Sequence, residues 1–355
     1  MLMNLPHAFP PARAARVLNS EGTPVTAPTL DVVAIGNAIV DILSPAEDAL
    51  VAELGLTRGG MQLVDAEGAA ALYGRMGAAV EASGGSAANT MAGLASLGRK
   101  CGFIGQISDD QFGTVFTHDI RAIGVDFTTP PREGEPPTAQ CLIFVSPDGQ
   151  RTMNTFLGAA QHLGSAALDR TMIESAAVLY LEGYLWNADE SRGAMAEAIA
   201  IAKAAGRKVA FTLSDVFVIL GHRADFRAMM ARGEIDILFA NEGEITCLME
   251  TPDFGAAVAA AAKEVPTLVV TRGEQGAIAV QDGVRSSVGA EPVTKVLDTT
   301  GAGDLFAAGF FAGQAEGRSV ADSLTMGAVC AAEVISHYGP RPEADLKALV
   351  AARLR

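Results

Sequence analysis

The 355-residue chain holds 49% apolar and 19% charged residues and a formal charge of −15. That balance belongs to a globular protein rather than a disordered one, and the length suits one large domain with an accessory, or two domains. An acidic chain without a basic stripe argues against a nucleic-acid partner, and no run of about 18 apolar residues offers a membrane span.

In chain order, residues 1–29 carry Arg13, Arg16 and several prolines but lack the continuous apolar core of a signal peptide. They read as a flexible extension. From there on, short apolar runs alternate with longer helical patterns. Strands are predicted at Asp31–Gly36, Gly102–Ile107, Val178–Leu181, Val209–Leu213, Asp236–Ala240 and Thr267–Thr271. Several lack strict apolar-polar alternation, as strands covered on both faces do. Helices are predicted over Ala87–Leu97, Asp110–Ile123, Glu190–Ala205, Ala224–Arg232, Phe254–Lys263 and Ser319–His337, with another beginning near Ala302. This rhythm implies an α/β fold, a doubly wound and mainly parallel sheet flanked by helices. Ligands of such sheets bind beyond the carboxyl ends of the strands. Two segments break the rhythm, about 39–65 and 128–157. Pro147-Asp148-Gly149, set between alternating runs, marks a β-hairpin. These pieces are expected to build a small β-sheet lid.

The four cysteines (Cys101, Cys141, Cys247 and Cys330) and five histidines are scattered, with no metal-ligand spacing. A reduced, cytoplasmic setting is the expectation.

Candidate chemistry sits at the ends of strands. Asn37 and Asp41 follow the first; an acid there is costly without a partner, and a ligand's vicinal hydroxyls would supply one. A loop acid capping a turn is the plainer reading. Gly84-Gly85-Ser86-Ala87-Ala88-Asn89 precedes a helix, with Ser86 and Asn89 near one face. Two glycines let a ligand approach the backbone, although Ser86 would serve equally as an N-cap. Asn241 and Glu244 follow the strand at 236–240 and suit magnesium held through its waters, or else complement a helix dipole. Thr271-Arg272-Gly273 follows the next strand, within reach of a nucleotide phosphate.

Asp298–Phe311, DTTGAGDLFAAGFF, is the most informative stretch. Glycines ahead of a helix leave backbone N–H groups free to face an anion. Asp304 inside such a site has a use if it accepts a proton while phosphate occupies the amides; otherwise it is a first-turn capping acid. His222-Arg223-Ala224-Asp225 and Asp253-Phe254-Gly255 echo protein-kinase motifs by coincidence, since no glycine-rich loop and strand lysine accompany them. GxxxxGK[ST] is absent, and Phe306 breaks the dinucleotide fingerprint.

Together, Gly84-Gly85-x-x-x-Asn89 and Asp298-Thr299-Thr300-Gly301-Ala302-Gly303-Asp304 make the chain resemble the ribokinase family of small-molecule kinases, the PfkB carbohydrate kinases, from about Asp31 onward. Gly36-Asn37 with Asp41, Gly60-Met61-Gln62, Tyr180–Tyr184, Thr212-Leu213-Ser214 and Asp236–Glu244 are most similar to adenosine kinases. Leu305 departs from the small or hydroxylated residue usual there. The resemblance implies a kinase domain over 30–355 that phosphorylates the 5′-hydroxyl of adenosine or a related nucleoside, a sugar kinase being the alternative. Asp304 would be the base, at an ordinary carboxylate pKa of about 4, and the Gly301, Ala302 and Gly303 amides the anion hole. Asn37, Asp41, Gln62, Gly85, Ser86 and Asn89 would hold the acceptor. Asn241, Glu244, Thr271 and Gly273 would serve ATP and, through water on Glu244, Mg2+. Arg151 would be a mobile lid arginine that meets phosphate. A monovalent cation (K+) near Asp298 and Thr300, and a monomer or homodimer, are also implied.

Overall fold

The structure, a computed structural model, describes residues 27–354; the extension expected over 1–29 lies almost wholly outside them. In chain order the strands are β1 (Leu30–Ile35), β2 (Ile39–Pro45), β3 (Met61–Leu63), β4 (Val80–Gly84), β5 (Cys101–Ile104), β6 (Asp126–Phe127), β7 (Ala139–Val145), β8 (Arg151–Phe156), β9 (Ala176–Glu182), β10 (Lys208–Thr212), β11 (Ile237–Asn241), β12 (Thr267–Thr271), β13 (Ala277–Gln281) and β14 (Val284–Val288). The main sheet runs β14-β13-β12-β11-β10-β9-β1-β5-β6, parallel except for the β12–β13 and β13–β14 pairs. Period-2 alternation divides its side chains between two cores. Val32, Ala34, Tyr180, Ala210 and Phe239 pack with the helices Ser86–Ser96, Ala302–Ala315 and Val320–Val334. Val33, Ile35, Leu179, Phe211 and Leu238 pack on the opposite face with the helices Asp189–Ala204 and Val216–Ala231. Both faces are covered, which is why these strands read as unbroken apolar runs.

Helix Ala302–Ala315 is set by close packing. A Cβ on Gly309 would lie 2.5 Å from the Met326 carbonyl, and one on Gly93 2.6 Å from Leu305. Tyr180, Phe239, Phe310 and Phe311 form edge-to-face contacts beneath it at 5.1–6.0 Å. The helix start, with its glycines and Asp304, is thereby held at the carboxyl end of the sheet.

The smaller sheet runs β3-β8-β7-β2-β4. β7 and β8 form the hairpin expected around Pro147-Asp148-Gly149, and β4 joins from outside the two segments singled out in the sequence. Strands β13 and β14 and the helices Asp48–Glu53, Ala66–Tyr73 and Leu346–Arg353 are additions to the predicted elements. Helix Val216–Ala231 begins eight residues before the predicted Ala224, capped by Asp215 on the Phe217 amide and kinked at His222 (φ −134°, ψ 18°). That kink interrupts the periodicity that marks a helix in sequence.

Candidate active site

The Asn37–Asp41 segment and the double-glycine turn are built around each other. Gly85 has φ +99°, and a Cβ there would sit 2.2 Å from the Asn37 carbonyl oxygen. A Cβ on Gly84 would meet the Asp41 carboxylate at 2.4 Å. Gly85 is therefore required by approach and by conformation, and Gly84 by approach to the Asp41 carboxylate. Burial pushes the Asp41 carboxyl up to about 6, although Arg341 and Arg151 draw it down.

From this turn the helix Ser86–Ser96 presents its first turn to Asp304. Ser86 Oγ donates to Asp304 Oδ1 at 2.6 Å, and Asn89 Nδ2 donates to Oδ2 at 3.1 Å. These partners come from residues more than two hundred positions away in the chain, so Asp304 is not a simple capping acid. Asn89 Oδ1 is buried and lacks a hydrogen-bond partner, which leaves an acceptor for an incoming hydroxyl. Burial raises the Asp304 carboxyl to about 6, while Ser86, Asn89 and Arg341 oppose the rise. The ordinary value expected from sequence does not hold, because tertiary packing removes water from the carboxyl. The shift brings the group toward the range of an effective base near neutrality.

Gly301, at φ +78°, caps the helix in the left-handed region, with Pro340 filling the space a side chain would need. Gly303 and Asp304 lie in the first turn, where amides have no carbonyl of their own helix to meet. Gly303 leaves open space where a side chain would stand. The Ala302 N–H, in contrast, donates to the Thr299 carbonyl at 3.2 Å. The tight entry to the helix thus engages one of the three amides expected to face phosphate.

A cavity of about 340 Å³ opens on Ser86 and Asp304 and continues past Tyr180 and Gly303 to Asn241, Glu244 and Thr271. Of the residues expected to hold the acceptor, its lining includes Ser86. On the far side, Asn241 Oδ1 accepts from the Glu244 amide at 2.8 Å, and Glu244 Oε2 accepts from the Asn241 amide at 2.9 Å. This is a reciprocal capping box. Glu244 is buried, and burial pushes its carboxyl up to about 7 despite the Asn241 amide. Its other oxygen, Oε1, accepts from Asn241 Nδ2 at 2.7 Å. With both oxygens engaged, Glu244 suits a cation met through water better than direct coordination. Among the described residues no cluster of three or more His, Cys, Asp or Glu has metal-binding geometry. Gly273 (φ +54°) follows β12 two residues beyond Thr271, outside the cavity lining.

One expectation is corrected. Gln62 donates to Asn154 at 2.9 Å, and the register pairs Leu63 with Thr155, Thr155 with Cys141 and Cys141 with Asp41. Successive side chains alternate faces, so Gln62 points away from Asp41. Arg151, expected as a mobile arginine, is 6% exposed and forms an ion pair with Asp298 at 3.0 Å, its guanidinium 5.9 Å from the centre of the Tyr338 ring and its three nitrogens without a hydrogen-bond partner. Burial tends to raise the Asp298 carboxyl, but hydrogen bonds from Thr300 and Gly339, with Arg151, hold it below the usual range. That carboxylate, near which a monovalent cation was expected, is already committed within the protein.

The residues 31–346 match the pfkB family carbohydrate kinases. The chain belongs to that family. This PfkB kinase is 30% identical to a 5-dehydro-2-deoxygluconokinase of Shouchella clausii, over 75% of the chain and 86% of the relative. In structure it is similar to an adenosine kinase from Sinorhizobium meliloti, with TM-score 0.83 and 47% identity over 92% of this chain and 99% of that one. A probable sugar kinase from Rhizobium etli CFN 42 superposes with TM-score 0.85 and 43% identity, covering 92% and 98%. The protein is thus a phosphotransferase with a ribokinase-like fold, and its relatives include both sugar and nucleoside kinases.

The sequence reading did not select two residues at the site. Glu182, 1% exposed at the end of β9, accepts from Asn37 Nδ2 at 2.7 Å and from the Ala87 amide at 2.9 Å. Burial pushes it up to about 7. An acid closing an apolar strand was its signal, the same one that marked Asp41. The other, Arg341, sits in a loop with no local pattern.

Proposed function

We propose that this kinase transfers the γ-phosphoryl group of ATP to the 5′-hydroxyl of adenosine or a related nucleoside. The observation that carries the nucleoside reading is an apolar wall beside Asp41. Leu43, Met153, Met61 and Leu63 share the Asp41 face of the smaller sheet, over the buried Cys141 and Ile143, and Met61 and Leu63 remain 50% and 58% exposed. A free sugar has little apolar surface to set against it; a nucleobase has two faces. The 47% identity to the Sinorhizobium meliloti adenosine kinase supports the same choice.

In this reading the ribose hydroxyls meet Asp41 and the unpartnered Asn89 Oδ1, and Asp304 takes the proton from the 5′-hydroxyl. The new bond joins the 5′-oxygen to the γ-phosphorus, and the bond to the β–γ bridging oxygen breaks to release ADP. The Gly301 and Gly303 amides stabilise the charge on the transferring group, a role in which one lost donor costs about 3–4 kcal/mol. Magnesium supplies charge neutralisation on the phosphates when bound, with Asn241 and Glu244 holding its waters. Arg151 and Asp298 bind the smaller sheet to the anion turn and so help exclude water.

The relatives also support a second reading, a sugar kinase of the same family. ADP release measured across nucleosides and sugars separates the two. Turnover on adenosine with little on ribose or fructose is expected; turnover on a sugar with none on any nucleoside overturns the proposal.

A further inference from the structure

Arg341 follows Gly339 and Pro340, and each of these residues touches a different part of the site. The Gly339 amide donates to Asp298 Oδ2 at 3.0 Å, and Pro340 fills the space beside Gly301. Arg341 reaches the other substrate's side. Its Nε donates to the Ser83 carbonyl at 3.1 Å, Nη1 to the Ala88 carbonyl at 3.1 Å and Nη2 to Ser83 Oγ at 2.9 Å. Ser83 and Ala88 bracket Gly84-Gly85-Ser86, so one guanidinium grips the acceptor turn from both ends. Asp119, on the helix Gln111–Ala122, completes the grip by accepting from the Ser83 amide at 2.8 Å and its hydroxyl at 2.5 Å.

We propose that Arg341 is a positioning residue for phosphoryl transfer: it registers the acceptor turn against the anion turn and sets the local charge around Asp41 and Asp304. The planar fork explains why an arginine serves, since a single ammonium cannot reach carbonyls on both sides of the turn. The charged groups around it are consistent with the second part. Asp119, Asp41 and Asp304 all favour the cation, while burial opposes it. Conversely, Arg341 lowers both Asp41 and Asp304. Arg151 acts on Asp41 in the same sense, and Asp304 in turn raises Glu182. Arg341 therefore offsets part of the mutual repulsion of the acids around the acceptor site.

This inference rests on Asp304 as the base, and its test reads the acid limb of the pH–kcat profile alongside thermal melting. In Arg341→Gln the limb is expected to move up by about 0.5–1 pH unit, less than a directly paired charge gives, with kcat down about 10–100-fold from misplacement of the turn. Arg341→Lys should return the limb toward wild type while kcat stays low. Asp119→Asn, which removes the anion nearest Ser83 and leaves Arg341 in place, should move the limb down by a few tenths of a unit. If Arg341→Gln does not fold, Asp119→Asn decides. An unmoved limb in Arg341→Gln, or in Asp119→Asn where that variant decides, with Asp304→Asn inactive, overturns the Arg341 inference alone. An active Asp304→Asn instead removes the base on which it rests.

Discussion

Asp304 and Glu244 both line the cavity and look alike in sequence: each is an acid in the first turn of a helix that follows a strand or loop at the carboxyl edge of the sheet. Their partners differ. Glu244 folds back onto Asn241, its own N-cap, and both of its oxygens are satisfied within four residues of chain. Asp304 turns outward to Ser86 and Asn89, which come from the other half of the domain. Burial raises both carboxyls, to about 7 and about 6. A raised carboxyl therefore does not mark a base by itself; the origin of its hydrogen-bond partners is what separates a cap from a group poised on substrate.

The strongest test of that contrast is Asp304→Asn. We expect kcat to fall by about 10³-fold, within the range for loss of a general base, with acceptor binding nearly unchanged by calorimetry. Turnover near wild type would remove the distinction. In the wild type, kcat should decline as pH falls through about 6, where Asp304 takes up a proton. Stability has the opposite dependence. The folded Asp304 carboxyl lies above its unfolded value, so its contribution is fully present below about pH 4 and lost as pH rises to about 6. Asp304→Asn should accordingly melt about 2–4 °C higher than wild type at pH 8 and gain little at pH 4.

An intermediate effect is expected on the acceptor turn. Gly85→Ala forces a side chain at φ +99° against the Asn37 carbonyl and should raise the acceptor KM by about 10–100-fold while leaving the ATP KM within about twofold. If the two KM values rise together, the sides are less independent than their separate hydrogen-bond networks suggest. Smallest is Glu244→Gln. One hydrogen bond of the capping box is lost, about 1 kcal/mol, a cost that removal of the buried charge offsets above about pH 7, with no more than about a tenfold change in kcat/KM for ATP. A loss as deep as that of Asp304→Asn would place Glu244 in the chemistry itself.

How much was legible in advance follows the same division between local and distant partners. β12 was read residue for residue and β1, β9, β10 and β11 within about two residues, because burial on both faces leaves long apolar runs with turn residues between them. β13 and β14 form an antiparallel pair at the sheet edge, and β14 is largely exposed, so that strand carries no apolar run to detect. Gln62 was misplaced because face assignment depends on register, and a three-residue strand fixes no register by itself. Arg341 was invisible for a related reason: its partners lie more than 250 residues earlier and include two backbone carbonyls, and a carbonyl carries no sequence signature.

The sequence by itself determined the fold class, the glycine turn ahead of the helix Ala302–Ala315 and the acid in its first turn, since these depend on local conformation and on residue types that few other contexts require. Only the tertiary structure decided that Asp304 is held by Ser86 and Asn89, that Arg151 is sequestered on Asp298, and that Arg341 spans the acceptor turn. Each of these is a contact between side chains or carbonyls far apart in the chain, and their geometry exists only once both cores have closed around the sheet.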